Sequence, residues 1–328
     1  MYNYCTLFDS FYLTRGLAMY ESLKKHSLEF HLFIFAFDDE SGLILNSLDL
    51  TNVTIIGLKE FENKELLELK KHRKIAEYCW TCTPFVIDYC IKKYNLKSCT
   101  YLDADLYFFA NPNVLIDEML NSSVLITEHR YTPIYDQSAT SGIYCVQFMT
   151  FKNDLNGLKA LHWWKNACLD WCYDRLEEGK FGDQKYLDDW NERFEGVHVL
   201  KNIGGGVAPW NIQQYIFLKE KNKVIGIQKS DFYKFDLIFY HFHGLKFLEN
   251  DNVELGNYIL KKTDLKFIYK PYLETISAIN QDLKLKNLFE SQNKLSNIKF
   301  NCKILLKNIK RMLKKSYNIY KQDYILGL

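Results

Sequence analysis

Cys99-Thr100-Tyr101-Leu102-Asp103-Ala104-Asp105-Leu106-Tyr107 is the stretch on which the reading of this chain turns. Its first four residues form a short apolar run, the pattern of a strand buried on both faces. Two carboxylates follow at once. Residues i and i+2 of an extended segment point the same way, so Asp103 and Asp105 are placed to meet one divalent ion. In an open α/β sheet the carboxyl edge of the strands is where ligands bind. Hard carboxylate oxygens suit Mg2+ or Mn2+, which in turn bridges phosphate oxygens. An acidic surface turn looks the same in isolation; the apolar strand directly ahead of the pair favours a site.

Working outward, residues 4–8, 31–37 and 53–56 are further apolar strands, and helical patterns fill 13–25, 60–71 and 75–94, the last tolerating Pro84. Continuous apolar strands alternating with helices predict an α/β fold with a mostly parallel central sheet flanked by helices on both faces. Further on, 123–127, 142–151, 197–200 and 237–240 read as strands, 158–176 as a helix, and Gly204-Gly205-Gly206 as a turn. From about Asp282 the chain reads as helical and basic to its end. The predicted division is therefore a catalytic unit over 1–281 and a basic helical tail over 282–328.

Composition agrees with a globular enzyme: 328 residues, 48% apolar and 25% charged, enough for a sizeable core. Aromatics reach 16%, which suits stacking on bases or sugars as well as an aromatic core. The nine cysteines lie mostly in apolar runs, and Cys79 with Cys82 offers too few ligands for a structural zinc. Met1-Tyr2-Asn3-Tyr4 has neither a basic region nor an apolar core of a signal peptide. No run approaches the ~18 apolar residues of a membrane span. The expectation is a reducing cytoplasm.

Charge is unevenly spread. Residues 284–328 hold eleven Lys or Arg against two acids, a net +9, which leaves −7 on residues 1–283. Leu305, Ile309, Met312, Leu313 and Tyr317 recur at three- and four-residue steps among Lys303, Lys307, Lys310, Arg311, Lys314 and Lys315. That is a basic amphipathic helix suited to an anionic membrane surface, with docking on the body as the alternative. Nucleic acid is not expected as a partner, because the body is acidic and no recognition motif occurs.

A second chemical element is Phe239-Tyr240-His241-Phe242-His243-Gly244-Leu245-Lys246. In a strand His241 and His243 share a face, and Mn2+ accepts nitrogen and oxygen ligands together. Lys246 can meet a diphosphate as a point charge. Two satisfied core histidines are the plainer alternative.

Taken together, the two segments resemble retaining glycosyltransferases of family 8 and their GT-A relatives. In these, Leu-Asp-Ala-Asp after a strand and a late His-x-x-Gly with a following Lys surround a nucleotide-sugar and its Mn2+. The resemblance implies a Rossmann-like GT-A fold. It makes Asp103 and Asp105 metal ligands and His241 the third, with His243 a rival, and sets Ala104 and Lys246 at the donor. Thr6, Phe8, Asp9 and Tyr12 would hold uracil and ribose. Asp183 and Gln184, within Phe181-Gly182-Asp183-Gln184-Lys185-Tyr186-Leu187, resemble the Asp-Gln motif facing the reacting sugar; Asp183 as a helix cap is the alternative. Ala208-Pro209-Trp210-Asn211 resembles the segment ahead of the late histidine. Arg73 and Lys74 are lesser candidates for phosphate.

The implied function is metal-dependent transfer of a sugar, from a UDP-sugar, to a glycan or lipid-linked saccharide. The setting would be bacterial surface polysaccharide or lipopolysaccharide assembly on the inner face of the membrane. Two rivals remain. A sugar-nucleotide nucleotidyltransferase needs a Gly-rich basic loop after the first strand, and Phe8–Arg15 is poor in glycine. A non-catalytic sugar-binding protein would not need both aspartates and both histidines. Retention and inversion are both open.

Overall fold

In the computed structural model, which describes residues 1–289 and 302–328, the first four strands lie parallel. They are β1 (Tyr2–Phe8), β2 (Phe30–Ala36), β3 (Val53–Gly57) and β4 (Ser98–Leu102), in the order β3-β2-β1-β4. Beyond a short β5 (Leu106–Phe108) come β6 (Val124–Glu128), β7 (Tyr144–Lys152) and β8 (Val197–Val199). These extend the sheet as β4-β7-β6-β8, giving seven strands. β7 runs against both β4 and β6, while β8 is parallel to β6. One reversed strand in an otherwise parallel sheet is the expected α/β architecture.

Strand alternation divides the core between the two faces. Tyr4 and Phe8 of β1 pack with Leu13 and Leu17 of helix Leu13–His26. Cys5 and Leu7 point the other way, toward helices Ile75–Lys93 and Leu155–Asp170. Both faces are covered, so the strands carry continuous apolar runs. On the second face Cys5, Cys90 and Cys99 bring their sulfurs within 4.8 Å of one another, a grouping their spacing does not announce. Burial pushes the Cys5 and Cys90 thiols well up, so these pack as small apolar groups.

Several local expectations are corrected. The helix expected over 60–71 breaks, because Asn63 accepts a bond from Leu66 N at 2.9 Å and caps a new helix, Lys64–Lys70. The helix expected over 158–176 is Leu155–Asp170, capped by Asp154 and ended where Trp171 turns extended. A small antiparallel sheet, β9 (Tyr215–Glu220), β10 (Lys223–Gln228) and β11 (Lys234–Asp236), precedes β12 (Phe239–His241). The strand read over 237–240 is β12, which starts two residues later and ends one residue later. Gly204 is a packing glycine: a Cβ there would lie 2.0 Å from the Asp236 carbonyl oxygen. Arg73 spends its guanidinium on Thr81 and on the Cys168 and Leu169 carbonyls, so it does not reach for phosphate.

The tail is not one helix to the end. Helix Cys302–Leu313 is followed by β15 (Ile319–Lys321) and helix Gln322–Leu326. β15 joins β13 (Lys246–Phe247) and β14 (Asn252–Glu254) in the order β13-β14-β15. Residues 290–301, and the side chains of Lys303, Leu305 and Lys307, lie outside the described residues. Among those described, no helix is long and apolar enough to cross a membrane.

Candidate active site

β4 ends at the carboxyl edge of the sheet, and a tight turn over Asp103-Ala104-Asp105 leads into β5. Asp103 N donates to the Gln147 carbonyl at 3.0 Å, and Leu106 N donates back to the Asp103 carbonyl at 3.2 Å. The two carboxylates therefore meet through a turn, not through strand alternation as the spacing implied. β5 pairs antiparallel with β12, setting His241 opposite Leu106. Phe242 N donates to the Asp105 carbonyl at 3.0 Å, and His241 N to that of Val207 at 2.9 Å.

This register brings His241 Nε2 to 3.1 Å from Asp105 Oδ1 and 3.8 Å from Asp103 Oδ2. One donor atom from each of the three residues lies within 4.8 Å of the others. The second imidazole nitrogen, Nδ1, is 2.8 Å from Oε1 of Gln147 on β7. A carbonyl acceptor there keeps a proton on Nδ1 and aims Nε2 at the carboxylates, where its lone pair becomes available when a cation takes the place of its proton. Two carboxylates and an oriented imidazole can hold a divalent cation such as Mn2+ or Mg2+. His243 stands apart from this group. It lines the same cleft edge-on to His241, ring centroids 5.9 Å apart, and the surrounding wall, with the His241 charge second, lowers it to about 4.

Electrostatics reinforce the grouping. Burial lifts Asp103 to about 6 against the pull of His241. Burial opposes a charged His241 too, yet Asp105 and Asp103 hold its pKa well above the usual value. In the chain alone a proton on His241 balances the carboxylates; a bound cation would displace it.

The cleft around this group has a volume of about 870 Å³. At one side lie Phe8, the last residue of β1, and Asp9 and Tyr12 from the loop after it. Asp38 holds that loop by accepting from Ser10 N at 2.8 Å and Ser10 Oγ at 2.7 Å. Asp9 Oδ1 accepts from Tyr12 N at 3.1 Å. Thr6 is buried in β1 and does not line the cleft; its hydroxyl has no partner among the described residues. Ala104 does line it. Lys246 is exposed on β13, outside the lining, with its charge felt at His243.

Asp183 is buried and faces the cleft; burial first, and Asp103 second, push its carboxyl up to about 8. It is not a helix cap, since helix Lys185–Asp189 starts after Gln184 without a side-chain cap. Gln184 also lines the cleft and donates Nε2 to the Ser141 carbonyl at 2.6 Å. Trp210 stands edge-on to His241 and His243 at 5.3 and 5.4 Å, while Asn211 is structural, donating to the His129 and Gly206 carbonyls.

Two supporting residues were missed in the sequence. Gln147 carried one signal, a polar side chain inside an otherwise apolar strand. Arg15 carried another, a cation in the first turn of a helix, where the dipole disfavours it. Buried, it donates to the Phe11 carbonyl at 3.1 Å and the Leu245 carbonyl at 3.3 Å, and stacks 4.6 Å from the Tyr12 ring centroid. It ties the loop after β1 to the loop after β12.

No family model matches the sequence. The uncharacterized Bacillus subtilis protein YfnF is 30% identical over 289 residues, covering 86% of this chain and 93% of its own length. YfnD of the same organism is 30% identical over 281 residues, covering 83% and 88%. Among solved structures, the galactosyltransferase LgtC, in complex with donor and acceptor sugar analogues, superposes with a TM-score of 0.52 at 11% identity. That match covers 87% of this chain and 99% of LgtC. With 30% of positions shared along most of both lengths, and with this sheet order, the chain belongs to the same protein family as YfnF and YfnD and has the GT-A glycosyltransferase fold.

Proposed function

We propose that this chain is a metal-dependent glycosyltransferase that moves a sugar from a nucleotide diphosphate sugar, a UDP-sugar first, to a saccharide or lipid-linked saccharide. One observation carries the reading: Asp103, Asp105 and His241 converge in a cleft that is otherwise acidic. Asp9, Asp174 and Asp183 also line it, and among the described residues no Lys or Arg does. A diphosphate entering such a cleft needs a cation to offset the repulsion.

Asp103, Asp105 and His241 would hold Mn2+ or Mg2+, which when bound draws charge from the leaving nucleoside diphosphate. Phe8, Asp9 and Tyr12 would receive base and ribose, and Lys246, on its flexible stem, would add positive charge from outside the wall. A carboxyl poised near pH 8 leaves Asp183 protonated at neutral pH in the chain alone. With inversion it is the base by position, once a bound cation offsets the Asp103 charge and leaves it ionised; with retention it orients the sugar with Gln184. The nucleotidyltransferase reading loses ground, because the cation near the β1 loop, Arg15, is buried on backbone carbonyls.

The tail supports a peripheral place on an anionic, cytoplasm-facing membrane. Ile309, Met312 and Leu313 are 43%, 56% and 80% exposed, beside exposed Lys310, Lys314 and Lys315.

The test is thermal unfolding with UDP-, GDP- and CDP-sugars, each with and without Mn2+, followed by product analysis. A UDP-sugar and Mn2+ should raise the midpoint together, and Asp103→Asn should abolish the rise. No metal-dependent rise with any nucleotide sinks the reading, and pyrophosphate as product hands it to the rival.

A further inference from the structure

We infer that residues 308–328 brace the cleft wall from behind, with Arg311 and Asn318 as positioning residues for its Tyr258 side. The inference rests on reading the cleft as a donor site. The segment from His243 to Tyr258 leaves the cleft and returns to it, and both end residues line it. Between them Gly244 (φ 75°) and Gly256 (φ 86°) turn the chain in and out of the β13–β14 hairpin. Strands of two and three residues cannot hold such a hairpin in place alone.

The C-terminal segment supplies what is missing. β15 pairs with β14 through Asn252–Lys321, Val253–Tyr320 and Glu254–Ile319. Leu255 N donates to the Asn318 carbonyl and Gln322 N to the Asp251 carbonyl, each at 2.9 Å. Two buried side chains then fix the exit of the hairpin. Arg311, 6% exposed, donates from Nη1 to Glu254 Oε1 at 2.6 Å and from Nη2 to the Gly256 carbonyl at 3.2 Å. Asn318, 2% exposed, donates Nδ2 to the Tyr258 carbonyl at 2.6 Å and the Gly256 carbonyl at 3.3 Å. The carbonyls of Gly256 and Tyr258 thus take bonds from the tail. Tyr258 is left facing His243, with centroids 6.5 Å apart, and Tyr135 at 5.0 Å. Asp103, Asp105 and His241 hang on β4, β5 and β12 instead, so the tail governs the wall and not the cation group.

The experiment compares three variants with the full chain: Arg311→Met combined with Glu254→Gln, which leaves no unpaired buried charge; Asn318→Ala; and Arg311→Lys. Amide hydrogen exchange is measured without ligand, and binding of Mn2+ alone and of UDP with Mn2+ is titrated. Losing two guanidinium or two neutral hydrogen bonds should raise exchange over 243–258 about tenfold or more, with β1 and β4 unchanged. UDP with Mn2+ should bind about five- to tenfold more weakly, and Mn2+ alone as in the wild type. Arg311→Lys, which keeps the charge but not the fork, should recover part of the loss. The inference is overturned if exchange over 243–258 is unchanged, or rises equally in β1 and β4. It is also overturned if exchange rises locally while UDP binding stays within about twofold. A wild type that binds no UDP with Mn2+ refutes the donor reading, and the exchange data then decide the clamp alone.

Discussion

Replacing Gln147 with Met should weaken cation binding while leaving all three ligating side chains in place. Gln147 is fully buried on β7, and its Oε1 is 2.8 Å from Nδ1 of His241. Met fills a similar space but offers no comparable acceptor. The imidazole then keeps its place on β12 but loses the bond that sets its tautomer and tilt. Losing such an outer partner costs about 10–100-fold in metal affinity, or about 1.4–2.7 kcal/mol. The fold should be affected less. Gln147 Nε2 already lacks a partner among the described residues, so removing it relieves a buried-amide cost of about 1–3 kcal/mol. The lost Nδ1 bond costs a similar amount, and the metal-free protein should unfold within about 1 kcal/mol of the wild type. Free Mn2+ is read by electron paramagnetic resonance during a titration, with urea unfolding in chelator run alongside. An unchanged Mn2+ affinity in a normally folded variant would show that Gln147 does not orient the ring, and the tautomer argument would fall.

Two further outcomes are expected. Asp264 is buried, with Oδ1 unpartnered among the described residues, and burial pushes its carboxyl up to about 6. Its folded pKa lies above the unfolded value, so its contribution is full below about pH 4 and is lost as pH rises through about 6, about 3 kcal/mol in all. Asp264→Asn removes that dependence, so its stability relative to wild type should climb between pH 4 and pH 7 in urea unfolding; a flat difference refutes the assignment. For the tail, Ile309→Glu with Leu313→Glu should lose sedimentation with anionic vesicles while still binding UDP with Mn2+, since each basic group alone contributes only about 1 kcal/mol. Sedimentation equal to that of wild type removes the membrane proposal.

The α/β class was legible because it rests on local signals. Runs such as Leu32-Phe33-Ile34-Phe35 are too apolar for a half-exposed strand, and helical patterns intervene at regular lengths. The Asp103–Asp105 pair was legible for the same reason, sitting directly behind one of those runs. Elements whose partners lie nearby in sequence announce themselves; Asn63 and Asp154 as caps are small exceptions that shifted boundaries.

Sequence alone determined that this chain has an α/β sheet, two carboxylates at its carboxyl edge and a late pair of histidines. Tertiary structure decided which histidine joins the carboxylates, because the β5–β12 register places His241 opposite Leu106 and leaves His243 on the wall. It likewise assigned Gln147, Arg15 and Arg311, and docked a basic tail on the hairpin behind the cleft wall. The physical reason is range. Hydrophobic periodicity and caps are settled among neighbours within a few residues, whereas strand pairing and buried polar bonds between distant segments depend on how all the apolar surfaces are covered at once.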